Sequence, residues 1–146
     1  MNNYLLIDIP KRSLKKIGRK IVLEQMQDYN NLTKYQIIHK YLYLTSIEKI
    51  SKKEYSLYDA ELCATDKELI YQKIKTILPK RNKNKTFAIN VERRGEHKFT
   101  STELARELAG SVFDLFPDIK VDLKKADLIV HIKVLNNKCL IYPEQQ

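Results

Sequence analysis

Arg93-Arg94-Gly95 and then His97 and Lys98 stand directly before Thr100-Ser101-Thr102, where a helical pattern begins. Guanidinium and ammonium groups beside the free N–H groups of a helix start are phosphate-binding chemistry, because charged donors converge where the helix dipole is positive. Ser101 and Thr102 add hydroxyls suited to sugar or phosphate, and His97 adds a cation when protonated. The plainer alternative is a solvated charge run, with helix capping drawing off some of the same N–H groups.

Two more cationic groups share that chemistry. Lys11, Arg12, Lys15, Lys16, Arg19 and Lys20 crowd one short segment, and Arg12, Lys16, Arg19 and Lys20 recur at helical spacing as one stripe. Lys80, Arg81, Lys83 and Lys85 follow Pro79 in a polar run without apolar periodicity. A soluble helix face and a mobile basic linker are the ordinary readings of these two. The whole chain holds 27 Lys and Arg against 18 Asp and Glu, a formal charge of +9, which favours RNA or DNA over acidic small molecules. A membrane surface is the weaker partner, since the apolar stripe beside the first group contains no Trp or Phe.

Other chemistry has little to stand on. His39, His97 and His131 are scattered, and Cys63 and Cys139 are far apart, so no zinc-ligand spacing or disulfide framework is written. The three glycines, Gly18, Gly95 and Gly110, compose neither a dinucleotide fingerprint nor a phosphate loop. No acid–base pair or activated nucleophile emerges, and the expectation is no catalytic residue, no metal and no cofactor. Apolar runs fall far short of the ~20 residues of a spanning helix. The N-terminus shows no secretory leader, which predicts a cytoplasmic setting, or a nuclear or nucleolar one in a eukaryote. The nine tyrosines are better explained by packing than by base stacking, with Tyr142 the one isolated candidate.

The elements that position these residues follow from period. Residues 4–9 read as a strand, and Pro10 ends it before a helix of about four turns with Leu14, Ile17, Ile21 and Val22 inward. Residues 35–44 read as one long or two short strands, and 46–62 give no clean period. Thr65 with Glu68 has capping-box spacing before Leu69, Ile70, Ile74, Ile77 and Leu78, a helix stopped by Pro79. Residues 86–92 alternate, with Phe87, Ile89 and Val91 on one face, so that Arg93 and Arg94 leave a strand end toward solvent. Thr100 with Glu103 makes a second capping box and Phe99 with Leu104 a staple. The stripe from Leu104 through Val112, Phe113 and Phe116 is broad, and Gly110 within it permits close packing. A short strand at 120–123, a longer one from Leu128, a turn at Asn136-Asn137 and a final strand at 138–142 complete the chain.

Residues 87–95 (Phe-Ala-Ile-Asn-Val-Glu-Arg-Arg-Gly), the Phe99-Thr100-Ser101 helix start, residues 103–110 (Glu-Leu-Ala-Arg-Glu-Leu-Ala-Gly), and Lys120-Val121-Asp122-Leu123 followed by Leu128-Ile129-Val130-His131-Ile132 together resemble the THUMP domain. One departure is Lys125-Ala126-Asp127 where the family has an Asn-Pro-Asp style turn. The resemblance implies an α/β (α+β) protein: a ferredoxin-like N-terminal region at 1–64, then a THUMP domain at 65–146 with a mixed sheet flanked by helices, and a basic linker at about 79–85. It implies tRNA binding, typically at the acceptor end, in service of a modification made elsewhere. Since the sequence stops a few residues past its last strand, the expected role is an adaptor without its own catalytic domain, resembling the partner of a tRNA acetyltransferase. The alternative is the tRNA-binding portion of a larger guanosine methyltransferase or 4-thiouridine synthetase, and a generic basic interaction protein is the third reading. The expected RNA-binding residues are Arg93, Arg94, Lys98, Ser101, Thr102, His97, Lys83, Lys85, Arg12, Lys16, Arg19 and Lys20, with tRNA and a modifying enzyme as partners and no membrane.

Overall fold

The first strand, β1 (Asn2–Leu6), stops short of Asp8, whose backbone turns left-handed at φ 60° and so breaks an apolar pattern that runs on to Ile9. The structure, a computed structural model, describes residues 1–52, 55–79 and 83–146. A 3-10 turn at Lys11–Ser13 leads into α1 (Leu14–Tyr29), which buries Leu14, Gly18, Ile21 and Gln25. Gly18 is required by close approach: a Cβ there would lie 2.7 Å from the ring of Tyr35. Asn30 ends the helix in the left-handed conformation.

Residues 35–44 prove to be the body of a hairpin, β2 (Thr33–Ile38) and β3 (Tyr41–Ser46), and His39 is its turn residue at φ 54° rather than a strand residue. The segment without a clean period supplies two short strands, β4 (Leu57–Asp59) and β5 (Glu61–Ala64). Strands of three and four residues are too short to show alternation, which is why the sequence hides them. The first sheet has the order β2-β3-β1-β4 with every pair antiparallel. Because β3 lies between β1 and β2, the unit is a split β-α-β, the ferredoxin-like arrangement. Its core is Tyr4, Leu6, Leu14, Ile21, Leu42, Leu44, Ile50 and Leu57.

The chain divides into Met1–Asp59 and Ala60–Gln146. The expected division at 64/65 falls just past β5, whose Glu61 to Ala64 pair with the last strand, Ile141 to Lys138. The basic run at 79–85 accordingly lies inside the second unit, and its Lys80 and Arg81 fall outside the described residues.

In the second unit α2 (Lys67–Ile77) is capped by Asp66, whose carboxylate accepts from Leu69 N–H at 3.0 Å. Thr65 is not the cap; its hydroxyl donates to the Asn136 carbonyl at 2.9 Å. β6 (Thr86–Arg94) runs parallel to both β7 (Lys120–Val121) and β8 (Leu128–Leu135), while β9 (Lys138–Gln145) returns antiparallel to β8 after a turn in which Asn136 has φ 56°. The sheet order is β5-β9-β8-β6-β7. α3 (Ser101–Leu115) crosses between β6 and β7, and its Thr100–Glu103 capping box is present in full.

Both helices pack on one face. Ile70, Ile74, Leu104, Leu108 and Val112 meet Phe87, Val130, Ile132, Val134 and Ile141 in a single core. Tyr71 approaches the place of a Gly110 side chain to 3.0 Å and donates to the Asp114 carboxylate at 2.5 Å, so Gly110 does permit close packing of α2 on α3. This bond holds the Asp114 carboxyl below the usual range and raises the Tyr71 hydroxyl. Phe113, expected in the buried stripe, is 37% exposed and meets Phe87 edge-on.

The corrected cap is testable. Asp66→Ala removes the acceptor for an orphan helix N–H and is expected to lower stability by about 1 kcal/mol in urea denaturation.

Candidate nucleic-acid interface

β6 does not end at Glu92 but continues through Arg94, in register with β8 from Phe87↔Leu128 to Arg94↔Leu135. Successive strand residues point to opposite faces, so the two arginines diverge rather than converge. Arg93 shares the helix-covered face with Phe87, Ile89 and Val91. Arg94 lies on the opposite face and is exposed.

Arg93 is tied down. Its Nη1 lies 3.1 Å from Nδ1 of His97, and its Nε is buried with no hydrogen-bond partner. The other ring nitrogen of His97, Nε2, is 2.9 Å from the Asn136 carbonyl. A carbonyl only accepts, so Nε2 carries the proton and donates, leaving Nδ1 to accept from the guanidinium. The ring also stacks on Phe99 at 5.2 Å. His97 is therefore a latch between the β6–α3 loop and the β8–β9 turn, with both nitrogens engaged. Gly95 completes the latch at φ 101°, where a Cβ would collide with the Asn136 side chain.

What faces solvent at this end of the sheet is Arg94, Gly95, Glu96, Lys98 and the start of α3. The capping box takes the N–H groups of Thr100 and Glu103, the latter through Thr100 Oγ1 at 3.1 Å. The N–H groups of Ser101 and Thr102 precede the first intrahelical bond, and Thr102 is exposed.

The α1 group comes together as the spacing requires. Arg12, Lys15, Lys16, Arg19 and Lys20 line one shallow depression with Leu23. Of these, Lys20 reaches Glu24 at 3.9 Å, and the other four form no ion pair among the described residues. Cations here oppose the helix dipole, since α1 has no acidic residue in its first turn and no side-chain N-cap bond. Other lysines of the second unit are paired with carboxylates: Lys67 with Glu107, Lys73 with Glu61, Lys75 with Asp114 and Lys133 with Glu92.

Lys83 and Lys85 do not join Arg94. They sit at the start of β6, and β6 is nine residues long. Their neighbours there are Lys120, Lys124 and Lys125, which sequence reasoning missed. Lys120 N–H donates to the Lys85 carbonyl at 3.0 Å, a contact made only by the parallel pairing of β6 with β7. The adjacent Lys124-Lys125 pair was the available signal.

Tyr142 is 3% exposed and stacks on His131 at 4.6 Å, so it presents no free face for a base. His131 is held by Glu144 at 3.1 Å and Asn90 at 3.3 Å, a satisfied sheet residue. Among the described residues no helix is long and apolar enough to cross a membrane.

The divergence of the two arginines separates their stability effects. Arg93→Ala is expected to cost about 1–2 kcal/mol by freeing the His97 latch, whereas exposed Arg94→Ala should stay within ~0.5 kcal/mol of the parent, compared by thermal unfolding.

Known proteins resemble this chain in sequence and in fold. The tRNA sulfurtransferase of Vibrio vulnificus (strain YJ016) is 35% identical over 69 residues, which are 47% of this chain and 14% of the relative. That of Tolumonas auensis is 35% identical over 72 residues, 49% of this chain and 15% of its own length. The chain therefore matches about one seventh of the length of these curated relatives. Among solved structures, a 4-thiouridine synthetase in complex with RNA and ATP superimposes with a TM-score of 0.73 at 16% identity, over 99% of this chain and 41% of that one. TrmN from Thermus thermophilus does so with a TM-score of 0.63 at 16% identity, over 99% and 46%. These two likenesses show a common fold along nearly the whole chain. The THUMP domain family model matches residues 64–144, more than half of the sequence, with both helices and most of the sheet of the second unit, and the chain belongs to the THUMP domain family.

Proposed function

We propose that this chain binds tRNA and presents it for modification by a catalytic domain or subunit that it does not itself supply. The observation that carries the reading is the set of exposed cations without carboxylate partners among the described residues, on α1 and at Arg94 and Lys98, in a chain of the THUMP family. Unpaired, clustered cations repel one another in the free protein, and a phosphate backbone relieves that repulsion. The relatives that match are tRNA sulfurtransferases by name, which supports tRNA as the nucleic acid.

The mechanism is electrostatic docking. Each Lys or Arg that neutralises a phosphate releases a condensed counterion, so affinity falls steeply with salt. Shape and the unpaired end of the RNA, not duplex sequence, then set selectivity, because the A-form major groove is too deep and narrow for side chains to read. Arg93 and His97 position the loop that follows Arg94 and carries Lys98; Ser101 and Thr102 offer N–H and hydroxyl donors beside them.

The leading form of this reading is a separate adaptor serving a tRNA-modifying enzyme such as an acetyltransferase. The second form, a portion of a larger thiolation or methyl-transfer enzyme, is favoured by the length of the sulfurtransferases that match. Size and composition of the native complex, recovered by affinity purification from its source, separate the two.

Two outcomes are expected. The Arg94→Ala, Lys98→Ala double variant should bind tRNA at least about tenfold more weakly with its fold intact; undiminished affinity removes these residues from the interface. Intact tRNA should bind more tightly than the same tRNA trimmed at its 3′ end in competition titrations, and equal binding would argue for generic polyanion attraction.

A further inference from the structure

The far end of the second unit's sheet carries a cationic surface that the sequence patterns did not assemble. Lys83, Lys85, Lys120, Lys124 and Lys125 are all exposed there, and none forms an ion pair among the described residues. Two of the neighbouring acids, Asp122 and Asp127, are spent on the backbone, and a third, Asp118, is exposed. Asp122 accepts the N–H groups of Lys124 at 2.9 Å and Lys125 at 3.0 Å, and Asp127 accepts those of Lys85 at 2.9 Å and Thr86 at 3.2 Å. These bonds also hold the Asp122 carboxyl below the usual range. They replace the turn-fixing proline that this chain lacks, and they lock two strand connections so that their lysines project from one rigid end.

Two features set this surface apart from a solvated charge run. Leu123, between the lysines, is 81% exposed, and Val121 is 51% exposed. Beside them runs a groove lined by Lys85, Thr86, Phe116, Pro117, Asp118 and Lys120, with Asp118 its one carboxylate. Cations around an open apolar knob match a sugar–phosphate backbone, whose phosphates alternate with ribose and base faces.

Position completes the argument. Beyond Phe87 no described strand pairs with the outer side of β6. Asp122 N–H donates to the Phe87 carbonyl at 3.0 Å, while the Arg94 carbonyl accepts from Asn136 on the β8 side. Strand alternation then turns the backbone groups of Ile89, Val91 and Arg93 toward the open edge. This edge links the lysine surface to Arg94 and Lys98 over roughly 26 Å, at ~3.3 Å per strand residue.

We infer that Lys83, Lys85, Lys120, Lys124 and Lys125, with Leu123 among them, form a second RNA-backbone contact, so that one RNA is held at both ends of β6. The inference rests on the tRNA-binding reading and locates a second anchor for it. A single phosphate group is too small to span the two anchors; a folded RNA helix does so.

The test uses the full chain and unmodified tRNA, with affinity measured at several salt concentrations. The Lys120→Gln, Lys124→Gln, Lys125→Gln triple variant should keep its circular dichroism, lose at least about tenfold in affinity at low salt, and show a salt slope smaller by about two. Leu123→Ser should weaken binding about threefold with the slope unchanged, since it removes contact area and no charge. A folded triple variant with parental affinity and slope overturns the second anchor while leaving the first. Failure of the parent protein to bind tRNA at low salt overturns the reading beneath it as well. Loss of binding to vesicles containing anionic lipid, with tRNA affinity untouched, would assign the surface to a membrane and likewise overturn the inference.

Discussion

The parallel ladder between β6 and β8 is the constraint on which the rest of the second unit depends. Eight residue pairs in register, from Phe87↔Leu128 to Arg94↔Leu135, put Phe87 in the core and send Arg94 to the opposite face. A slip of one residue would exchange the two faces, burying Asn90 and Glu92 and exposing the apolar row. The register is held because Phe87, Leu128, Val130, Ile132 and Val134 are all essentially excluded from solvent beneath α2 and α3. The cost of a shift is thus the loss of a whole hydrophobic face, far larger than any single charge contact at the surface.

Polar side chains close the ends of that ladder and keep the charges available. At one end Arg93, His97 and the Asn136 carbonyl form the latch, and Thr100 with Glu103 caps α3. At the other, Asp122 and Asp127 bind backbone N–H groups. Asp122 and Asp127 are thereby occupied by the backbone, while Glu96 and Asp118 stay exposed. Arg94, Lys98, Lys120, Lys124 and Lys125 are exposed and form no ion pair among the described residues.

Much of this was legible before any coordinates. The period-two run beginning at Phe87, the Thr100–Glu103 box, Pro117 and the Asn136-Asn137 turn are local signals, and local signals give β6, α3, β8 and β9. The family resemblance was carried by the same residues. What sequence could not give was the strand's last two residues. Arg93 and Arg94 look like a loop because they are charged, yet Val134 and Leu135 across the ladder keep them paired. Asp66 took the cap from Thr65 by one position, a margin that spacing alone does not resolve. β4 and β5 are too short for a period, and Lys85 meets Lys120 only through a parallel pairing that follows a whole intervening helix. Non-local contacts of this kind leave no trace in a local pattern.

On the proposed reading, exposed cations at the two ends of β6 and on α1 hold a tRNA. Ultraviolet cross-linking of the full chain to unmodified tRNA, followed by mass spectrometry of the joined peptides, tests it most directly. Cross-links are expected in residues 94–102, in 120–125 and on α1, diminished by salt. Cross-links confined to other surfaces, or none at low ionic strength, would contradict it.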